Sequence, residues 1–114
     1  MIENFGIGVD IVEITRFKKL DFKKKKGFYK KTFSEDEIKY CLKFKDSYRH
    51  FAGKFALNEA VIKSINLKIN LSDILTSYEQ GKPIVNISHK NQYKFLVSIT
   101  HEENYAIAVV ISEK

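Results

Sequence analysis

Cysteine is nearly absent: Cys41 is the only one in 114 residues. An intrachain disulfide is therefore impossible, and a cysteine-rich metal site is excluded. Long apolar runs are also missing, so no segment reads as a membrane-spanning helix. The start, Met1-Ile2-Glu3-Asn4-Phe5-Gly6, has no basic stretch leading into an apolar one and does not read as a secretory leader. The expectation is a soluble protein of the cytoplasm. No internal repeat or low-complexity linker breaks the chain, and its length suits one domain, 1–114. Positive charge, by contrast, is abundant. There are 20 Lys and Arg against 14 Asp and Glu, a net charge of +6. That balance points to an acidic partner: nucleic acid, an anionic surface, a phosphorylated ligand or an acidic protein. A hydrophobic content of 44% supports one modest core.

Phe5 to Val12 alternates as a strand, with Phe5, Ile7, Val9 and Ile11 on one side. Gly6, Gly8, Asp10 and Val12 lie on the other. Asp is disfavoured in strands, and two glycines on its own face mark close approach by a ligand or another backbone. Asp10 therefore reads either as a site residue or as the cap of the next helix. Glu13 to Leu20 reads as a short helix with Ile14, Phe17 and Leu20 inward and Arg16, Lys18 and Lys19 in solvent. Phe22 to Lys31 reads as a basic loop with interleaved aromatics, either a nucleic-acid contact or a solvated surface. Ser34 with Glu37 three residues on is a capping box, starting a helix that ends near Lys45.

The chain is organised around the next helix, expected from Ser47 to Ile65. It places Phe51, Phe55 and Ile62 at helical spacing, with Ala52, Ala56 and Ala60 beside them to admit a close neighbour. Glu59 and Lys63 are four apart and share a face, as do Lys54 and Asn58 on a neighbouring stripe. A Glu–Lys pair at that spacing is equally an ordinary surface pair. Strands follow at Ile74 to Glu79, Ile84 to Ile87, Phe95 to Thr100 and Tyr105 to Ile111. Gln80-Gly81-Lys82-Pro83 turns the first pair and His101 to Asn104 the second. Strand, helices, then antiparallel strands make an α+β domain. His50 and His89 match no motif.

Four segments occur in a telling order and spacing: Gly6-Ile7-Gly8-Val9-Asp10-Ile11-Val12-Glu13-Ile14, Phe55 to Lys63, Gly81-Lys82-Pro83, and Ser98-Ile99-Thr100-His101. Together they resemble the holo-acyl-carrier-protein synthases, the small bacterial-type 4′-phosphopantetheinyl transferases, over essentially the whole chain. The resemblance implies that family's fold and its reaction. The phosphopantetheine arm of coenzyme A moves to a serine of apo acyl carrier protein, releasing adenosine 3′,5′-bisphosphate, with Mg²⁺ required and lipid synthesis served. It also implies homotrimers with active sites between subunits, and neither nucleic acid nor membrane as a partner. Carried over by position, Asp10 and Glu59 hold the metal, Gly8 leaves room for it, and Glu59 and Lys63 are catalytic. Lys54, Asn58, Lys63, Lys82, Pro83, Thr100 and His101 contact coenzyme A, and Arg16, Lys18 and Lys19 dock the carrier. The serine proton goes to Glu59 or to a metal-bound water; both stay open. One departure stands out: the family's lysine before the helix glutamate is Asn58 here, which removes a charge, and Lys54 is the candidate substitute. The competing readings are a nucleic-acid module using Lys23 to Lys31 and a catalytically silent relative.

Overall fold

The computed structural model describes residues 2–88 and 92–114, so His89 lies outside the described residues. In chain order the elements are β1 (Phe5–Glu13), α1 (Ile14–Lys18), α2 (Lys26–Thr32), α3 (Glu35–Leu42) and α4 (Ser47–Ser64). They continue with β2 (Ile74–Glu79), β3 (Lys82–Ile87), β4 (Lys94–His101) and β5 (Tyr105–Glu113). The α+β order is the one expected. β1, β5 and β4 form one antiparallel sheet in that order, and β2 and β3 form a separate hairpin. In the hairpin turn, Gln80 and Gly81 have φ of 51° and 79°. Two successive left-handed residues give the primed turn that matches strand twist, and glycine takes the second position without steric cost. Lys82 and Pro83, read above as turn residues, already belong to β3.

Helix α4 lies against the inner face of the sheet. The alternation of β1 sends Gly6, Gly8, Asp10 and Val12 to that face, beside Ala106, Ala108 and Val110 of β5, which are wholly buried. A Cβ built on Gly6 would collide with the Ser64 carbonyl, and one on Gly8 with the Ala60 carbonyl. The glycines therefore exist to let a helix backbone touch a strand. This corrects the expectation for Gly8: its open side is filled by α4, not left for a metal and its waters.

The basic stretch also differs from expectation. Lys26–Thr32 is the helix α2, and Glu13 belongs to β1, so α1 is shorter than the expected Glu13 to Leu20. The cause is packing. Tyr29 and Phe33 are buried in an aromatic cluster with Phe17 and Phe51, with ring centroids 4.7–6.3 Å apart for the Tyr29–Phe51, Phe33–Phe51, Phe17–Phe33 and Phe17–Tyr29 pairs. Burying each such ring contributes roughly 1.5–3 kcal/mol. Like-charged lysines one turn apart cost only about 0.2–0.5 kcal/mol, so the rings decide the conformation. The capping box forms as read: Ser34 Oγ accepts from the Glu37 amide, and Glu37 Oε1 accepts from the Ser34 amide.

Candidate active site

Two of the expected site residues, Asp10 of β1 and Lys63 of α4, meet at the seam between those elements, and Glu59 lies one helical turn before Lys63 on α4. Gly6 lies under Ser64 and Gly8 under Ala60. Two strand residues advance about 6.6 Å and four helix residues about 6 Å, so the two elements run antiparallel nearly in step. The next inward residue, Asp10, therefore comes level with the turn that precedes Ala60 and carries Glu59. Lys63, one turn on, reaches back over the strand: its Nζ donates to Asp10 Oδ1 at 3.0 Å and to the Val9 carbonyl at 3.1 Å. Glu59 is half-buried, and no hydrogen bond or ion pair forms on its carboxylate among the described residues.

This donor set fits Mg²⁺ in one particular way. Among the described residues no three His, Cys, Asp or Glu side chains come together. Mg²⁺ is commonly held by one or two carboxylates, with substrate phosphates and waters completing its octahedron. Asp10 and Glu59 match that pattern. The Lys63 ammonium on Asp10 marks the position where the site already accepts positive charge.

A second feature lies at the other edge of the sheet. A groove of about 1090 Å³ runs between the β2–β3 hairpin and β4, lined by Gly81, Lys82, Pro83, Ser98 and His101 among others. The imidazole of His101 rests on α4 at Gly53, where a Cβ would come within 2.5 Å of Nε2. Partial burial, with Arg49 nearby, pushes the His101 pKa below its ordinary value, which favours the neutral ring. Thr100 is exposed on the opposite, outer face, as alternation requires. β1 and β4 are separated by β5, so Asp10 and the β4 side of the groove are at least two strand spacings, roughly 10 Å, apart within one chain.

On α1, Ile14 and Phe17 are buried, while Arg16, Lys18 and the capping residue Lys19 are exposed, as their spacing predicts. The Arg16 guanidinium lies over the Phe55 ring, 4.8 Å from its centroid. The exposed Lys23, Lys24, Lys25, Lys26, Lys30 and Lys31 extend the basic surface.

The sequence profile of the 4′-phosphopantetheinyl transferase superfamily matches residues 6–110. The chain belongs to that superfamily. It aligns with the holo-(acyl-carrier-protein) synthase of Thermodesulfovibrio yellowstonii at 40% identity over 115 residues, covering 98% of this chain and 100% of that protein. With the synthase of Leptospira biflexa the identity is 46% over 63 residues, and that alignment spans 55% of this chain and 50% of that protein. The structure is similar, at TM-score 0.82 and 28% identity over 96% of each chain, to a crystal structure of a holo-(acyl-carrier-protein) synthase from Bacillus anthracis in complex with CoA (3′,5′-ADP).

In this member of the transferase superfamily, two of the expected ligand contacts are buried in the interior. Asn58 is 0% and Lys54 2% exposed. The stripe they form faces the interior, because a carboxylate waits there. Asn58 Nδ2 lies 3.3 and 3.2 Å from the two carboxylate oxygens of Glu37, and Thr76 Oγ1 donates to Oε2 at 2.8 Å. Among the described residues the Lys54 ammonium makes no hydrogen bond, and it sits over the rings of Tyr40 and Tyr78 at 4.9 and 4.8 Å. Burial raises the Glu37 pKa, opposed by its hydrogen bonds and by Lys54. Burial likewise lowers the Lys54 pKa, opposed chiefly by Glu37. Sequence reading missed Glu37 as more than a cap. Its capping bond is local, but its other partners lie 21 and 39 residues away.

Proposed function

We propose that the chain transfers the 4′-phosphopantetheine group of coenzyme A to a serine of apo acyl carrier protein, giving the holo carrier and adenosine 3′,5′-bisphosphate, in the service of lipid synthesis. The observation that carries this reading is the seam where Lys63 of α4 holds Asp10 of β1, with Glu59 one helical turn from Lys63. A pyrophosphate concentrates negative charge, and displacement at its β-phosphorus needs that charge offset. Mg²⁺, held by Asp10 and Glu59, would supply Lewis-acid charge neutralisation. Lys63 stands beside the same carboxylate and is placed to steady the departing bisphosphate. Glu59, free of other partners, is the candidate acceptor for the serine proton. The nucleophile belongs to the carrier, so this chain needs none. Lys82, Pro83 and His101 are proposed to receive coenzyme A in the groove, and Arg16, Lys18 and Lys19 to receive the acidic carrier. No helix among the described residues is long and apolar enough to cross a membrane. Action in the cytoplasm, by one domain over 1–114, is part of the same proposal.

The proposed assembly is a homotrimer with shared sites. Ile7, Val9, Ile11, Leu96, Val109 and Ile111 leave one continuous apolar face on the outer side of the sheet. A second copy covering it would remove that surface from water. Because Asp10 lies on the β1 edge of the sheet and the groove on its β4 edge, a neighbour's groove beside Asp10 and Glu59 would complete a site that one chain leaves divided. Thr100, on the outer face, would then lie at the junction.

The test is to incubate the purified protein with coenzyme A, Mg²⁺ and an apo carrier protein and to weigh the carrier. A gain equal to one phosphopantetheine group is expected. An unchanged carrier mass under conditions where a known transferase modifies it would overturn the proposal.

A further inference from the structure

The structure assigns Glu37 a role at a site it does not touch: it is a positioning residue that acts through Asn58 to fix the turn of α4 presenting Glu59. This rests on the transferase reading above. A carboxylate that is 1% exposed is costly to bury unless its oxygens are satisfied. Here they are, by the Ser34 amide, Thr76 Oγ1 and Asn58 Nδ2, which belong to the start of α3, to β2 and to α4. A helix cap alone would need one oxygen and no burial.

Among the described residues, the Asn58 side chain makes its hydrogen bonds to Glu37 and its Oδ1 has no partner, so the orientation of the amide is set by Glu37. Successive helix residues are about 100° apart around the axis. Pinning Asn58 to the interior therefore fixes the direction in which Glu59 leaves the helix. The remainder of α4 packs through Ala52, Ala56, Ala60, Phe55 and Leu57, apolar contacts that resist separation more than rotation. Among the described residues, the α4 side chains hydrogen-bonded to other elements are Asn58, to Glu37, and Lys63, to β1. They bracket Glu59. A misplacement of about 1 Å in such a site is enough to cost on the order of a hundredfold in rate.

The test separates geometry from charge. Asn58→Ala removes the link and leaves Glu37 with Ser34 and Thr76. Asn58→Asp sets two carboxylates against each other. Glu37→Gln combined with Asn58→Asp exchanges donor and acceptor, keeping one carboxylate to balance Lys54. For each variant, kcat, KM for the carrier and the Mg²⁺ concentration giving half the maximal rate are measured, with a thermal midpoint to confirm folding at the assay temperature. Asn58→Ala is expected to lower kcat at least about tenfold and to raise the Mg²⁺ requirement, leaving carrier KM within about twofold. Asn58→Asp is expected to lose more, and the exchanged pair to recover kcat to within about threefold of wild type. A folded Asn58→Ala protein with wild-type kcat and Mg²⁺ requirement overturns the inference, as does an exchanged pair no more active than Asn58→Asp alone. A wild-type protein that never modifies the carrier overturns the transferase reading itself, and this is seen before any variant is assayed.

Discussion

Lys63 holds Asp10 across the join between helix and strand, with Nζ 3.0 Å from Oδ1 and side chains 53% and 17% exposed. An ion pair this open to solvent contributes at most about 1 kcal/mol to stability. Its value lies in where it puts charge, one helical turn from Glu59 and at an edge strand of the sheet. Removing the carboxylates should therefore silence the site and spare the fold. Asp10→Ala and Glu59→Gln are each expected to cut carrier modification by about a hundredfold or more, with little change in the thermal unfolding midpoint. Transfer rates and unfolding curves on the same preparations check this. An Asp10→Ala protein of wild-type activity would remove the metal assignment.

The two glycines of β1 give a sharper stability prediction. A methyl group at Gly8 would meet the Ala60 carbonyl, and neither backbone can yield without the other. Gly8→Ala is expected to destabilise by about 1–3 kcal/mol, the usual cost of overpacking. It should also reduce activity, because α4 must lift Glu59 away from Asp10. At Gly27 an added Cβ meets nothing within 4 Å. Gly27→Ala should instead stabilise by up to about 1 kcal/mol, as alanine does inside a helix. Denaturant melts of the two variants should move in opposite directions.

Much of this arrangement was legible in the sequence, and the failures share a cause. The alternation of β1, the capping box at Ser34 and the apolar positions of α1 are local patterns, and each appears as read. Asp10, Glu59 and Lys63 were recognisable as a set because their motifs resemble a known family's in order, although nothing local says that Lys63 reaches Asp10. The misread positions were decided by distant partners. Gly8 answers to Ala60, Asn58 to Glu37, and Lys26–Thr32 to the rings of Phe17 and Phe51. Charge pattern suggested a loop at the last of these, and the family resemblance implied a ligand contact at Asn58; burial made the first a helix and turned the second toward Glu37.

The outer face of the sheet bears on assembly. Ile7 is 70% and Leu96 73% exposed, and they flank Ile111 in adjacent strands. A patch of this kind on the proposed homotrimer is expected to be covered, so sedimentation of the wild type at micromolar concentration should give three times the chain mass. Ile7→Lys, which sets a charge in the patch without touching α4, should shift the protein toward smaller species and lower transfer activity together, since the proposed site needs two chains. A wild-type monomer with full activity would contradict the shared site.

The carrier surface can be probed independently of the chemistry. Arg16 lies six residues beyond Asp10, on the exposed side of α1, and its guanidinium is steadied against the Phe55 ring. Stacking on an aromatic face leaves the planar donors directed outward, and a guanidinium so held loses less freedom on gripping a carboxylate with two parallel hydrogen bonds. The lysines from Lys23 to Lys31 are exposed and carry no such support, so they act at longer range, on the rate of encounter. Arg16→Glu is therefore expected to raise KM for an acidic carrier protein about tenfold or more while leaving KM for coenzyme A within about twofold. Reversing two loop lysines should cost less and should act through association rate. Raising the salt concentration from about 0.05 to 0.5 M should weaken the wild type toward Arg16→Glu, since the Debye length falls below the spacing of the charges. Steady-state kinetics with both substrates varied would read all three effects. A carrier KM unmoved by Arg16→Glu or by salt would place the docking surface away from α1.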